Sequence, residues 1–288
     1  MNLQDLLYKV SLESVLGSTN VEIADIQFDS RKIAKNNLFV SVSGTIYDGH
    51  KFISNAISDG AIAIVVEQFP EEIDEKITYI KVKNSNNALG IVASNFYNNP
   101  SERIKLVGVT GTNGKTTIVS LLHQLFTLLN VKAGMLSTIQ NKIESKIIPS
   151  THTTPDAIQI NLLLNKMIDA GCEYCFMEVS SHAISQRRVN GLTYLGGVFT
   201  NITQDHLDYH NTFAEYRDVK KSFFDSLSKN AFALTNKDDK NGYKMLEATK
   251  AKKLSYSLKS FSDYKCRVLE NQFEGMLLQI NKVDVWVK

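Results

Sequence analysis

Ile104-Lys105-Leu106-Val107-Gly108-Val109-Thr110-Gly111-Thr112-Asn113-Gly114-Lys115-Thr116-Thr117 is the stretch from which the rest of the chain can be read. Residues 104–109 form a short apolar run of strand character, and residues 116–129 set Ile118, Leu121, Leu122, Leu125, Phe126 and Leu129 at helical spacing. Between them lies a glycine-rich turn. Glycines let successive backbone N–H groups curl around phosphate oxygens at a helix N-terminus; a lysine neutralises the outer phosphates, and the hydroxyl after it can ligate Mg²⁺. The stretch therefore predicts a phosphate loop in which Gly111, Thr112, Asn113, Gly114, Lys115, Thr116 and Thr117 surround the phosphates of ATP or GTP. The common G-x-x-x-x-G-K-[ST] spacing would put its first glycine at position 109, which is Val109, whereas glycines stand at 108 and 111. That departure points to a subgroup of such loops.

Working outward, the same alternation continues: strands at 133–138, 174–179, 197–201 and 231–234, and helices at 155–170 and 213–227. Thr154 is the expected N-cap of the first of these helices, Pro155 its first position and Gly171 its end. Strands alternating with helices predict an α/β fold with a mostly parallel, helix-covered sheet. Upstream, strands at 38–42, 61–66 and 78–82 with a helix at 53–58 suggest a smaller α/β module. Residues 1–100 carry 8 Lys+Arg against 12 Asp+Glu, and the remainder 24 against 18. This reversal coincides with the turn Asn98-Asn99-Pro100-Ser101, so the expected domains are 1–95 and 96–288.

Composition excludes several classes. A chain of 288 residues, 43% of them hydrophobic, can build real cores, and no apolar run approaches the roughly 20 residues of a membrane span. The net charge of +2 argues against bulk electrostatic binding of nucleic acid. The first residues lack a basic segment followed by an apolar stretch, so the expected location is the cytoplasm. Three cysteines make an odd count unsuited to a disulfide framework, and Cys172-Glu173-Tyr174-Cys175 runs into a strand without a second pair, which disfavours a metal or redox site.

Two further segments carry chemistry. Glu178, followed by Val179-Ser180-Ser181-His182, ends a strand where open α/β sheets bind ligands, and is a candidate Mg²⁺ ligand because Mg²⁺ prefers hard oxygen donors. The segment Thr200-Asn201-Ile202-Thr203-Gln204-Asp205-His206-Leu207-Asp208-Tyr209-His210 packs two His and two Asp into six residues. Their spacing fits neither a zincin helix nor a zinc finger, so a divalent cation at the phosphates suits it better. Asp205 could equally cap the next turn and His210 could simply be exposed.

Residues 110–117, 177–183 and 201–210, together with Phe28-Asp29-Ser30-Arg31, 38–45 and Asp48-Gly49-His50-Lys51-Phe52-Ile53, closely resemble the motifs of the Mur ligases of peptidoglycan synthesis. The resemblance covers nearly the whole chain and is strongest to the members that add the third peptide residue. It implies an ATP-dependent amide ligase that joins meso-diaminopimelate or L-lysine to UDP-N-acetylmuramoyl-L-alanyl-D-glutamate through an acyl phosphate. By this carry-over Phe28, Ser30 and the loop Gly44-Thr45-Ile46-Tyr47 hold the UDP portion, with Arg31 supporting the loop. His152, Thr153, Thr154, Ser180, Gln186 and Arg188 match positions that bind the muramoyl-dipeptide. Lys115, Thr116, Glu178 and His206 match those around ATP and Mg²⁺, and Lys220 matches a lysine that CO₂ converts to a carbamate and so to an anionic metal ligand. The family register alone separates Lys220 from Lys221.

The resemblance also implies a third domain, expected to be missing because strands are still being laid down at residues 283–288. That domain chooses the amino acid and contributes to closure over ATP. A monomer is the default expectation. Two alternatives accompany this reading: a related phosphate-loop enzyme of folylpolyglutamate-synthase type, and a fragment that binds the same ligands without turnover.

Overall fold

The computed structural model describes residues 1–44, 48–150, 152–206 and 208–287. Thr45, Ile46 and Tyr47, expected in the UDP loop, lie outside the described residues. The chain divides into two compact units, one of residues 1–103, 155–169 and 185–192, the other of residues 104–154, 170–184 and 193–288. No helix among the described residues is long and apolar enough to cross a membrane.

The first unit opens with α1 (Leu3–Leu6), β1 (Leu12–Leu16), β2 (Asp25–Gln27), β3 (Asn37–Val40), α2 (Ile53–Ser58), β4 (Ala61–Val66), β5 (Thr78–Val82), α3 (Ser85–Phe96) and α4 (Pro100–Arg103). Its sheet has the order β1-β5-β4-β3-β2 and is antiparallel only between β1 and β5. Strands β3, β4 and β5 are covered on both faces, which is why they read as continuous apolar runs. Leu6, Ile26, Leu38, Val65, Ile80 and Val92 fill one side, and Phe39, Ile53, Ile64 and Tyr79 the other. Edge strand β1 is largely exposed and β2 is three residues long, so neither carried a hydrophobic signal. Asn84 caps α3 by accepting a hydrogen bond from Asn87 N at 2.8 Å, and the helix begins at Ser85.

The second unit follows as β6 (Lys105–Thr110), α5 (Lys115–Leu128), β7 (Ala133–Leu136), β8 (Gln140–Ile143) and β9 (Lys146–Pro149). Next comes α6 (Ala157–Asp169), which packs on α3 and sends Ala157 and Ile158 into the core of the first unit. The second unit resumes with β10 (Tyr174–Glu178), α7 (Ser181–Ser185), β11 (Gly196–Phe199), α8 (Phe213–Asp225), β12 (Phe232–Asn236), α9 (Gly242–Met245), β13 (Lys252–Ser257), β14 (Tyr264–Gln272), β15 (Gly275–Ile280) and β16 (Val283–Val287). The sheet order is β16-β15-β14-β13-β12-β11-β6-β10-β7-β8-β9. Six strands, β7, β10, β6, β11, β12 and β13, and the start of β14 run parallel; hairpins close both ends. Successive strands leave β6 first toward β7 and β10 and then toward β11 and β12, so the carboxyl end of β6 lies at a switch point, where such sheets bind ligands.

Two local expectations are corrected. Thr154 does not cap α6: Asp156 does, its Oδ1 accepting from Gln159 N at 2.9 Å and its carbonyl from Ile160 N. Thr154 is fully buried and its hydroxyl is committed instead to Glu178 O at 2.8 Å, while the aspartate two residues on is an equally good cap. The apolar stripe of α5 also differs: Val119, with Ile118, Leu122 and Phe126, meets the sheet, and Leu121, Leu125, Leu128 and Leu129 are exposed. An apolar helix on both sides leaves its buried face undetermined by spacing alone. As expected, Cys172 precedes β10 and Cys175 lies within it; both are buried and free.

Candidate functional site

The glycine-rich turn expected to hold phosphates leaves β6 and enters α5 through backbone that only glycine adopts comfortably. Gly111 has φ +148°, and a Cβ there would stand 2.0 Å from Thr200 Oγ1. Gly114, at φ +86°, begins α5 in the left-handed region and faces open space. The exit of β11 clamps the loop from the other side. Thr112 N donates to Asn201 O at 2.8 Å, Asn113 N to Asn201 Oδ1 at 3.1 Å, and Thr200 Oγ1 to Asn113 O at 2.7 Å. Thr203 N donates to Thr112 Oγ1 at 3.0 Å, and that hydroxyl is 3.1 Å from Tyr216 Oη. Asn113 and Thr117 are exposed around this turn.

Two amines converge on one carbonyl. Lys115 Nζ donates to Gly111 O at 3.0 Å and to Thr112 O at 2.9 Å, and Lys220 Nζ, reaching in from α8, donates to the same Gly111 O at 3.1 Å. Lys220 is only 1% exposed and its amine lies 4.7 Å from the centre of the Tyr216 ring. Burial, then the charge of Lys115, push the Lys220 amine down to about 7, with Asp205 opposing. Burial also lowers Lys115, partly offset by Glu178 and Asp205.

Glu178 sits at the last position of β10, opposite Val109 of β6, and is buried. Its Oε1 accepts from Thr116 Oγ1 at 2.7 Å and from Thr138 N at 2.9 Å, and its Oε2 from Thr138 Oγ1 at 3.1 Å. A carboxylate and a hydroxyl meeting beside a phosphate loop are the hard oxygen pair that a Mg²⁺·nucleotide requires. Thr154 and Ser180 join at the same strand end: Ser180 N donates to Thr154 Oγ1 at 3.1 Å, and Ser180 Oγ accepts from Ala183 N at 3.2 Å. His152 is exposed and Thr153 half-buried just before them.

His206 has φ +53° and meets His182 edge-to-face at 4.8 Å and the Tyr216 ring at 6.2 Å. Asp205 Oδ1 accepts from the adjacent His206 N at 2.9 Å. His210 is not exposed. It is fully buried among His182, Tyr209 and Tyr216, neither ring nitrogen has a hydrogen-bond partner among the described residues, and burial followed by His182 lowers its pKa.

Within the first unit, Gln186 and Arg188 pair through Arg188 Nε and Gln186 Oε1 at 2.9 Å, and both are half-buried. Phe28 is exposed, and Ser30 begins a short turn capped by Asp29. The Arg31 fork lies on Asp29, at 2.9 and 2.8 Å, rather than on any described residue of the 44–47 loop.

Sequence reasoning missed Thr138 and Tyr216. Thr138 carries no motif, and only its place just past a strand at the ligand edge could have pointed to it. Tyr216, one helical turn before Lys220, is fully buried and bridges that lysine to Thr112. Asn201 and Thr203, within the segment 200–210, hold the loop itself.

Comparison with known proteins adds the following. The family model described as Mur ligase middle domain matches residues 109–286, and that described as Mur ligase family, catalytic domain, matches residues 22–97. Among curated relatives, the UDP-N-acetylmuramoyl-L-alanyl-D-glutamate--2,6-diaminopimelate ligase of Cytophaga hutchinsonii is 52% identical over all of this chain and 60% of its own length. That of Parabacteroides distasonis is 50% identical over all of this chain and 59% of its own length. The chain thus spans about three fifths of the curated relatives it matches. A solved structure of a ligase of the same name superimposes with a TM-score of 0.81 at 23% identity, covering 100% of this chain and 59% of the other. A MurF ligase from Thermotoga maritima in complex with ADP superimposes with a TM-score of 0.59 at 19% identity, over 91% and 57%. At these identities the two structures establish the fold.

Proposed function

The chain belongs to the Mur ligase family, and from that premise we propose that it serves an ATP-dependent acid--amino-acid ligase acting on UDP-N-acetylmuramoyl-L-alanyl-D-glutamate in the cytoplasm, as a monomer. The names of the relatives at 52% and 50% identity favour 2,6-diaminopimelate over L-lysine as the amine added. Residues 1–95 take the UDP end, through Phe28, Ser30 and the 44–47 loop; residues 96–288 take ATP and, through His152, Thr153, Thr154, Ser180, Gln186 and Arg188, the muramoyl-dipeptide.

The observation that carries the reading is the meeting of Lys115 and Lys220 on Gly111 O, alongside the Thr116 to Glu178 contact. In the reaction, a D-glutamyl carboxylate oxygen attacks the γ-phosphorus of ATP, the bond to the β-phosphate oxygen breaks, and an acyl phosphate and ADP form. The amine then attacks the acyl carbon, loses a proton and expels phosphate. Lys115 and the N–H groups at the start of α5 hold the phosphates and offset the charge that moves toward ADP. Thr116, Glu178, His206 and carbamylated Lys220 would hold Mg²⁺, with phosphate oxygens and water completing its shell. When bound, the ion neutralises phosphate charge.

Lys220 suits its modification because an unprotonated amine is what attacks CO₂. Its nitrogen forms the new bond to carbon and releases one proton, and burial with Lys115 brings the amine to about 7, where that form is populated. A ¹³C-bicarbonate NMR spectrum of the chain should show a carbamate signal that disappears in Lys220→Arg; no signal in the unsubstituted chain would remove this assignment. The ligase reading itself is tested by phosphate release from ATP, Mg²⁺ and the UDP-dipeptide, with diaminopimelate or lysine supplied separately. Release that needs diaminopimelate is expected. Release independent of any amino acid would contradict it, and release that needs lysine would reassign the substrate.

A further inference from the structure

The turn Asn236-Lys237-Asp238-Asp239-Lys240-Asn241-Gly242 leads from β12 into α9, beside the exit of β11, to which β12 runs parallel. Its two adjacent aspartates bond to different strand exits. Asp238 anchors the turn to the end of β13: its Oδ1 accepts from Ser257 Oγ at 2.6 Å and its Oδ2 from Leu258 N at 2.7 Å. Lys237 N adds a bond to Tyr256 O at 2.9 Å. Asp239 reaches the other way, to β11, where its Oδ2 accepts from Ile202 N at 2.8 Å, while its Oδ1 accepts from Asn241 N within the turn at 2.8 Å. Gly242 N donates to Asp239 O at 2.9 Å, and a Cβ on Gly242 would stand 2.1 Å from Asn236 O, so the turn closes this tightly only with glycine there.

Ile202 follows Asn201, and Asn201 is the residue that grips the glycine-rich turn, through its carbonyl on Thr112 N and its side chain on Asn113 N and Asn113 O. The peptide between residues 201 and 202 is therefore bonded at both ends: its N–H donates to Asp239 and its carbonyl accepts from Thr112. The preceding peptide is held from the same turn, because Asn236 Nδ2 donates to Thr200 O at 2.9 Å. A bond to a carboxylate is stronger than one to a neutral acceptor, and it polarises the peptide so that its carbonyl accepts more strongly in turn. Thr200 and Ile202 are buried, so without Asp239 the Ile202 N–H would be left to find another acceptor in a closed space, and the segment would have to shift to supply one.

We propose that Asp239 is a positioning residue for nucleotide binding: through the peptide between residues 201 and 202 it fixes Asn201, and Asn201 in turn fixes Thr112 and Asn113 in the turn that takes the ATP phosphates. This rests on the reading of residues 111–117 as the ATP site. A turn held in shape before the ligand arrives loses less freedom on binding, so release of this strut weakens affinity without removing any ligand contact.

The test is calorimetric titration of Mg²⁺·ATP into the whole chain and into Asp239→Ala and Asp239→Asn, with UDP-N-acetylmuramoyl-L-alanyl-D-glutamate titrated in parallel. Asn keeps one acceptor oxygen without the charge, so it restores part of the strut. Ala should weaken ATP about tenfold, Asn should lie between Ala and the unsubstituted chain, and UDP-dipeptide affinity should not change. Equal ATP affinity in Asp239→Ala and the unsubstituted chain overturns the strut and leaves the ATP reading standing. Equal weakening of both ligands overturns it too, because that is general structural damage. No binding of ATP by the unsubstituted chain overturns the strut and the ATP reading together. Should the variants fail to fold, amide hydrogen exchange in the unsubstituted chain decides the matter: equal protection of the Ile202 and Thr112 N–H groups is expected, since their bonds open together, and a Thr112 N–H that stays protected while the Ile202 N–H exchanges freely overturns the inference.

Discussion

Lys220 shows how much a single residue's meaning depends on its surroundings. In the sequence it is one of two adjacent lysines on an amphipathic helix, and nothing local distinguishes it from Lys221. In the structure Lys221 pairs with Asp225 at 2.8 Å on the helix surface, while Lys220 is buried against Gly111 O and the Tyr216 ring. Helical phase explains the contrast: Tyr216, Lys220, Phe223 and Phe224 share the buried face of α8. With its folded-state amine at about 7, the folded chain releases this proton while the unfolded chain keeps it to roughly 10.4. The unfolded state then binds more protons across that window, so stability should rise with pH from about 7 to about 10. In CO₂-free buffer, denaturant unfolding should show this rise in the unsubstituted chain, and Lys220→Met should flatten it and be more stable at pH 7 by on the order of a few kcal/mol. Unchanged pH dependence in Lys220→Met would count against a buried amine. For His210, by contrast, the sequence leaves exposure open and the structure buries it, since a histidine in a polar segment carries no sign of its own burial.

At the scale of elements, what could be read in the sequence depended on how completely each was covered. β3 to β6, β10 and β11 are buried on both faces and spelled themselves out as apolar runs, and the glycines between β6 and α5 marked the turn that joins them. β14 and β16 are largely exposed and β15 is mostly half-buried, with Val268, Phe273, Val283 and Trp286 open to solvent, and no pattern of full burial marks their hairpins. Glycine pairs set the distance between α8 and the sheet. Cβ atoms on Gly108 and Gly197 would stand 2.6 and 2.8 Å from the Phe223 ring, so Gly108→Ala must move that ring and with it the helix bearing Lys220. The expected loss is about 1–3 kcal/mol with a smaller carbamate signal, read by denaturant unfolding and ¹³C NMR; an unperturbed variant would mean that α8 has slack there. Asp156→Ala should cost about 1 kcal/mol as the lost cap of α6, whereas Thr154→Ser, keeping the hydroxyl bonded to Glu178 O, should cost less.

For the whole molecule, the linear order of the sequence did not show how the chain is shared out. Two segments beyond residue 103, 155–169 and 185–192, belong to the first unit, although α6 lies between β9 and β10 of the second unit's sheet. Local patterning could find α6 as a helix, but its partner α3 is fixed only by tertiary packing. The order of motifs was more informative, because the phosphate loop, Glu178 and the residues after β11 all fall at carboxyl ends of adjacent parallel strands, where the topology alone brings them together. The central claim is that this meeting point binds Mg²⁺·ATP through Lys115. Its most direct test is calorimetric titration of Mg²⁺·ATP into the chain and into Lys115→Ala, with the UDP-dipeptide titrated as the control. Saturable ATP binding that Lys115→Ala abolishes while the UDP-dipeptide still binds is expected; ATP affinity that survives Lys115→Ala unchanged would contradict this role of Lys115.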